Sequence, residues 1–270
     1  MINENGKLIQ LFKKHGLSLI KDQSRCEALI RDYCIGTPQE VNLVLLALKA
    51  QIPLQLIEGK ENLSLTVKNL VLKLQDKHFI AFDAANKIVE HWVAGLGLTH
   101  QYVATCNSRG YENYYLKKYA EANADFTKAI ELGTKDAYAY NNRGLVYNEL
   151  KKYPEAIAEY TKAIDLDPKY RDAYHNRGVV YEIQKKYAEA IADYTKAIHL
   201  VPNYVYSYIG RGNAYIGLKK YAEAIANYTK AIELDPKYDA AYNDRAIAYN
   251  AIGKTKESEE DFAKAKKIGT

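Results

Sequence analysis

The sequence predicts an all-α chain: a helical bundle over residues 1–100, then an α-solenoid of five helix-turn-helix units over 103–270. Three observations predict it. The text repeats every 34 residues, with NRG at 142–144 and 176–178 and GRG at 210–212, each followed by YPEAIAEYTKAI, YAEAIADYTKAI or YAEAIANYTKAI. A fixed period of that length is the mark of stacked helical hairpins. Of the 25 tyrosines, all but Tyr33 lie at or after position 102, so composition divides the chain near residue 100. Pro168, Pro202 and Pro236 recur at the repeat interval, where a ring that cannot continue a helix forces the turn into the next hairpin.

The bundle is expected to hold five helices. The first, over about 5–15, has Leu8, Ile9, Leu11 and Phe12; the second, over about 24–35, has Cys26, Leu29, Ile30 and Tyr33 at helical spacing. Thr37-Pro38-Gln39-Glu40 starts a third helix, with Thr as cap, Pro at the first helical position and Glu three residues after the cap. That helix, through about Gln51, is apolar over most of its circumference and is expected at the buried centre. The last two, over about 63–76 and 80–96, carry Leu65, Val67, Leu70, Val71 and Leu74, then Ala84, Ile88, Val89 and Trp92. Gly95 and Gly97 close the last one, and few residues separate it from the first repeat, so the bundle is expected to cap the array.

The five repeats are expected over 103–136, 137–170, 171–204, 205–238 and 239–270. In the second, the recurring slots hold Tyr140, Arg143, Gly144, Tyr147, Ala156, Tyr160 and Ala163. Gly144 in the first helix and Ala156 in the second let two antiparallel helices approach closely while tyrosine rings fill the flanks. A β-branched or aromatic residue at Gly178 should overpack that seam, at roughly 1–3 kcal/mol. Pro154 stands where a second helix begins, a position at which its missing N–H costs nothing.

With the small pair, the aromatic slots and the closing proline, these units resemble tetratricopeptide repeats, a likeness covering 168 of 270 residues. The resemblance implies a right-handed solenoid. The chain departs from the family pattern in three ways. Tyrosine, or Cys106 in the first unit, stands where tryptophan is frequent. Arg109, Arg143, Arg177, Arg211 and Arg245 stand where leucine is usual, and the fifth unit has Ala246 and Ser258 at the small pair. In the bundle, LIQLFKKHG, RCEALIRDYC and EVNLVLLALKAQIP resemble a small helical domain at the front of multidomain bacterial regulatory proteins, which implies an adaptor or docking role.

The arginine column is the most chemical feature of the repeats. An antiparallel hairpin places the seventh slot near the twenty-third, which holds Asp125, Glu159, Asp193, Asn227 and Asp261. Four of the five are acidic, which favours internal pairing over a ladder for phosphate or acidic peptide; an unpaired buried guanidinium would be costly.

The family resemblance implies that the first helix of each hairpin lines a concave groove. The slots concerned hold Asn107, Tyr111, Tyr114, Tyr138, Asn141, Asn142, Leu145, Asp172, His175, Asn176, Val179, Tyr206, Ile209, Asn213, Asn243 and Asp244. Asparagine and tyrosine dominate. An amide offers donor and acceptor together and can pair with the backbone of an extended peptide, while tyrosine faces add apolar contact at low entropy cost. Asn142 and Asn176 stand in the slot where the repeats of O-linked N-acetylglucosamine transferases carry an asparagine ladder, with Ser108, Gly210 and Asp244 in the other units. The basic clamp of co-chaperone members is not reproduced: its places hold Asn107, Tyr111, Asp172 and Asn176, and only Asn142 matches.

Other classes find little support. The formal charge of +5 is spread over both parts, about +2 and +3, with Lys and Glu interspersed, so the surface is mildly basic and solvated. Groove arginines and lysines are nearly absent, which argues against nucleic acid. The longest apolar run, Leu43 to Leu48, is too short to cross a bilayer, and a cytoplasmic protein is expected. Cys26, Cys34 and Cys106 form no CxxC pair, and the six histidines are scattered without HExxH, so neither a disulfide framework nor a metal is expected. No phosphate-binding glycine motif is present, and no cofactor or catalysis is expected. The reading is a non-catalytic scaffold: a peptide or helix in the groove, a second partner on residues 1–100. The alternatives are a regulatory subunit acting through the bundle, or an RNA-binding helical repeat.

Overall fold

The computed structural model describes residues 21–33, 48, 51–58, 63–78, 89–90, 92–93, 96, 98–132 and 136–269. No strand occurs among them: the fold is all-α. The helices expected over 5–15 and over most of 38–51 and 80–96 lie outside the described residues, as does Cys34. The chain forms two compact units, Met1–Leu116 with Glu131–Thr134, and Lys117–Ile130 with Lys135–Thr270.

In the first unit, α1 runs Gln23–Tyr33, α2 Ile52–Glu58, α3 Leu63–His78 and α4 Thr99–Tyr115. Val67, Leu70, Val71 and Leu74 recur at helical spacing along α3 and are all buried, whereas Leu72, on another face, is exposed. Helix α3 packs against α2 and α4, so Ile52 and Leu56 are fully buried, and Lys73 Nζ donates to Gln55 Oε1 at 3.2 Å. Val89, Trp92 and Val93 are also buried, and Cys26 and Cys106 are buried thiols.

The second unit holds α5 (Tyr119–Glu131) and then four hairpins: α6 (Ala137–Glu149) with α7 (Tyr153–Leu166), α8 (Arg171–Ile183) with α9 (Tyr187–Leu200), α10 (Val205–Gly217) with α11 (Tyr221–Leu234), and α12 (Asp239–Ala251) with α13 (Thr255–Ile268). Each hairpin turns by the same device. Lys151, Lys185, Lys219 and Gly253 adopt left-handed backbone at φ 58°, 60°, 59° and 77°. Around Lys185 the ending is a Schellman motif, with the Lys186 N–H bonded to Tyr181 O and the Lys185 N–H to Glu182 O, both at 2.8 Å. At the other end, Asp167 Oδ1 and Asp235 Oδ1 accept from the N–H groups of Lys169 and Lys237, and together with Pro168 and Pro236 these carboxylates shape the passage to the next hairpin.

The seam inside each hairpin joins a glycine to a tyrosine ring. A Cβ at Gly144, Gly178 or Gly212 would lie 2.6, 3.0 or 2.6 Å from Cε1 of Tyr160, Tyr194 or Tyr228. Those three rings are buried, as are Ala156, Ala190 and Ala224. Tyr194 is gripped from both sides, because a Cβ at Gly210 of the following hairpin would press on its Cζ. In the last hairpin Ala246 and Ser258 stand in place of the glycine and the alanine, and Ser258 Oγ donates to Ala246 O at 2.9 Å.

Successive first helices also touch one another, α6 with α8, α8 with α10 and α10 with α12, while no comparable contact joins successive second helices. The unit is therefore closed more tightly on the side of its first helices. That side is its inner face.

Candidate functional site

The arginine column faces away from that inner side, into the stack. Arg177 donates through Nε and Nη2 to both carboxylate oxygens of Asp193, at 2.8 and 2.9 Å, and through Nη1 to Thr161 Oγ1 at 2.9 Å. Arg143 makes the same set with Glu159 and Thr127, and Arg245 with Asp261 and Thr229. Arg211 differs: its partner Asn227 is neutral and accepts one bond, at 2.8 Å, beside the bond to Thr195 Oγ1. Each guanidinium thus ties the second helix of its own hairpin to the second helix of the one before. The hydrogen bonds and charges of the carboxylates hold Arg177 and Arg245 above the usual guanidinium range. Arg109 is half-buried on α4, in the first unit.

The threonine contribution escaped the sequence reading. Thr127, Thr161, Thr195 and Thr229 sit in every YTKAI or FTKAI string, so a 34-residue column was visible, but its partner belongs to the next hairpin and only the stacking register reveals it.

On the inner face, the expected asparagines divide. Asn141 and Asn142 are 3% and 2% exposed, Asn141 Nδ2 donates to Asn142 Oδ1, and Asn176 Nδ2 donates to Asn141 Oδ1 at 3.0 Å. These bonds link the amides across α6 and α8, and Asn142 Nδ2 is left buried without a partner. Asn107 is buried on α4, and Tyr111, exposed on the same helix, pairs its hydroxyl with that of Tyr115 at 2.9 Å; both belong to the first unit.

The outward-reaching groups of the second unit's inner face are aromatic and aliphatic. Tyr138, Tyr206 and Ile247 are 41%, 52% and 54% exposed. Tyr206 packs between Tyr204 and Tyr238, with ring centroids 5.4 and 5.9 Å away. Arg171 lies over the Tyr204 ring at 3.6 Å and pairs with Asp172 at 2.6 Å, which neutralises that acid locally. His175 is bonded through Nδ1 to Ser207 Oγ at 3.1 Å and stacks edge-on to Tyr204. Burial, helped by the charge of Arg171, pushes its imidazole down to about 4, so it is neutral at neutral pH.

Deeper along the same face, Glu182 accepts from the hydroxyl of Tyr194 at 2.9 Å and from the amide of Asn213, whose Oδ1 in turn accepts from Tyr228 at 2.8 Å. Asp244 stands next to this chain on α12. Burial raises both carboxyls above their ordinary range, and Asp244 raises Glu182 further. Neither acid was singled out from the sequence as a charge, because Glu182 lies in a slot occupied elsewhere by Asn148, Ile216 and Asn250.

Family models meet this geometry from outside. A TPR repeat model matches residues 144–184, one tetratricopeptide repeat model matches 172–204 and 205–238, and another 126–158 and 227–260, so that together they run without a break from 126 to 260. This is a tetratricopeptide repeat protein. Solved structures similar to this repeat protein include MamA, at 23% identity over 59% of this chain and 94% of that one, with a TM-score of 0.56. A MamA structure from Desulfovibrio magneticus RS-1, covering residue 41 to the end, is 19% identical over 62% and 94%, at 0.58. YrrB, described as a TPR protein with an unusual peptide-binding site, is 23% identical over 62% and 84%, at 0.53. At these identities the likeness concerns the fold. Comparison with curated proteins returns no match. None of the matched family models describes an enzyme, no described helix is long and apolar enough to cross a membrane, and no group of His, Cys, Asp or Glu among the described residues could hold a metal ion.

Proposed function

We propose that this repeat protein is a cytoplasmic, non-catalytic adaptor whose inner face holds an extended peptide or a helix of another protein, while residues 1–100 dock a second partner. The observation that supports the reading is the contrast between the two sides of each first helix. One side is spent on stacking, with Arg143, Arg177, Arg211 and Arg245 bonded internally. The other presents Tyr138, Tyr206 and Ile247, large apolar groups that nothing in their own unit requires to be exposed. Rigid aromatic anchors beside half-buried polar groups suit recognition of a chain segment. Because Asn141 and Asn142 are buried and mutually bonded, the aromatics and Asn213, Asp172, His175 and Asn176 are the groups assigned to contact.

A photo-crosslinking side chain placed at Tyr206 tests this, with the same group at the exposed Lys196 on α9 as control. Adducts formed at position 206, absent at 196 and lost when Tyr138→Ala is added, are expected. Equal labelling at both positions would remove the inner face as the docking surface. For the first unit, Leu72→Lys on α3 is expected to weaken capture of the second partner and leave crosslinking at 206 unchanged.

A further inference from the structure

The inner face of the second unit has an electrostatic character opposite to that of the chain. The whole protein carries +5, yet the slots that line this face between α6 and α12 hold no lysine or arginine, and they hold Asp172, Glu182 and Asp244. Asp172 is answered by Arg171. The other two are not answered by any cation. Glu182 is held by neutral donors, the Tyr194 hydroxyl and the Asn213 amide. Asp244 is half-buried and takes part in no ion pair among the described residues. Arg211, the one arginine of the column with a neutral partner, is directed to Asn227 and Thr195 on the second helices and does not reach this face.

Stacking does not require these acids. The slot of Glu182 holds Asn148, Ile216 and Asn250 in the neighbouring hairpins, and the slot of Asp244 holds Asn142, Asn176 and Gly210. The repeat therefore folds with neutral residues in both places. Nor is Glu182 loosely placed: the ring of Tyr194 that donates to it is clamped between Gly178 and Gly210, and Asn213 is itself fixed by Tyr228. A carboxylate held by rigid neutral donors, within the field of a second carboxylate and with no counter-ion of its own, is an arrangement that a cation from outside completes.

We propose that the occupant of this face is a basic segment of a partner protein, which sets a lysine or arginine side chain against Glu182 and Asp244 while its apolar neighbours lie on Tyr206 and Ile247. This rests on the docking reading above and adds the charge of the partner. The two acids sit on α8 and α12, the first helices on either side of α10, whose Asn213 is bonded to Glu182, so a segment that meets both acids runs across three successive first helices. An acidic segment would be repelled by the same two groups, which gives the face a choice of partner as well as affinity.

The test uses the full chain and three labelled probe peptides of equal length, alternating alanine with lysine, glutamine or glutamate around one central tyrosine, followed by fluorescence anisotropy. The lysine probe is expected to bind, with an affinity that falls as salt rises, and the glutamate probe not to. Glu182→Gln/Asp244→Asn should weaken the lysine probe by about tenfold or more, whereas Glu155→Gln/Glu223→Gln, which removes the same charge from exposed positions on α7 and α11, should leave it within about twofold. Glu182→Gln alone can still accept from Tyr194, and it guards against a folding defect: its melting temperature should equal or exceed that of the wild type while lysine-probe affinity falls. Equal binding of the lysine and glutamine probes, both lost with Tyr206→Ala, would overturn the basic occupant and leave the docking surface standing. Binding of no probe, or retention of the lysine probe by the double variant, overturns the proposal; absence of crosslinks at position 206 as well would take the docking reading with it.

Discussion

Removing Arg177 should damage the stack and leave the inner face working. Its guanidinium makes three bonds, two to Asp193 and one to Thr161, and the pair is largely withdrawn from water, with side chains 17% and 8% exposed. Arg177→Ala strands the Asp193 carboxylate without a counter-ion; for a pair that retains some solvent, the lower end of the buried range applies, about 3 kcal/mol. At roughly 2–4 °C per kcal/mol for a unit of this size, the melting temperature should drop by about 6–12 °C. Asp193→Asn is the finer probe, because Arg211 and Asn227 show what remains when the partner is an amide: one bond at 2.8 Å. It should cost about 1–1.5 kcal/mol, or roughly 2–6 °C. Arg177→Ala/Asp193→Ala should be milder than the sum of its parts, since the second change removes the stranded charge. Circular-dichroism melts at matched salt measure all three, with lysine-probe binding below the transition as the functional readout. An Arg177→Ala protein that melts like the wild type but no longer holds the probe would refute the reasoning and make the arginine a ligand group.

Two further outcomes follow from the same packing. Gly212→Ala should destabilise by about 1–3 kcal/mol, because its Cβ would press on Cε1, Cδ1 and Cζ of Tyr228 at 2.6–2.9 Å, a ring tethered to Asn213 through its hydroxyl; Gly178→Ala, with its nearest ring atom at 3.0 Å, should cost less, and denaturant midpoints in the reverse order would contradict the seam. The second concerns pH. His175 is held down to about 4 in the folded protein, so between its ordinary value and 4 the unfolded chain binds the extra proton and stability falls on acidification, by roughly 3 kcal/mol. Glu182 and Asp244 act with the opposite sign, since raised folded values mean the native state takes up protons first. His175→Asn should flatten the acid side of the stability curve and Glu182→Gln should steepen it; parallel curves for all three proteins would show that neither group is linked to folding.

Much of the stack can be read directly from the text, because a repeated hairpin must solve the same packing problem in each copy. The glycine of NRG and the aromatic of YTKAI face each other because 16 residues of antiparallel hairpin bring them together, and the same count joins Arg177 to Asp193. Features that depend on the rotation and spacing of neighbouring hairpins are not local in this way. Whether Asn141 and Asn142 point to solvent or to each other is decided by where α8 lies against α6, and they are buried. Lys151, Lys185 and Lys219 give no hint of left-handed backbone, since a residue with a Cβ is uncommon there; the turn geometry imposes it where glycine, as at Gly253, would be expected.

The internal comparison also shows where a partner's identity is written. Slots that hold the stack together vary little among the hairpins of the second unit: arginine at 143, 177, 211 and 245, tyrosine at 160, 194 and 228, alanine at 163, 197 and 231. Slots on the inner face vary freely, with Tyr138, Asp172, Tyr206 and Ala240 in one and Asn148, Glu182, Ile216 and Asn250 in another. Stacking requires each unit to offer its neighbour the same surface, so it holds the first set alike. No such requirement acts on the second set, and its departures from uniformity answer to something outside the stack. Two of those departures are carboxylates that leave their charge unbalanced at a place where folding would accept a neutral residue, which is why the charge of the partner can be argued from this chain alone.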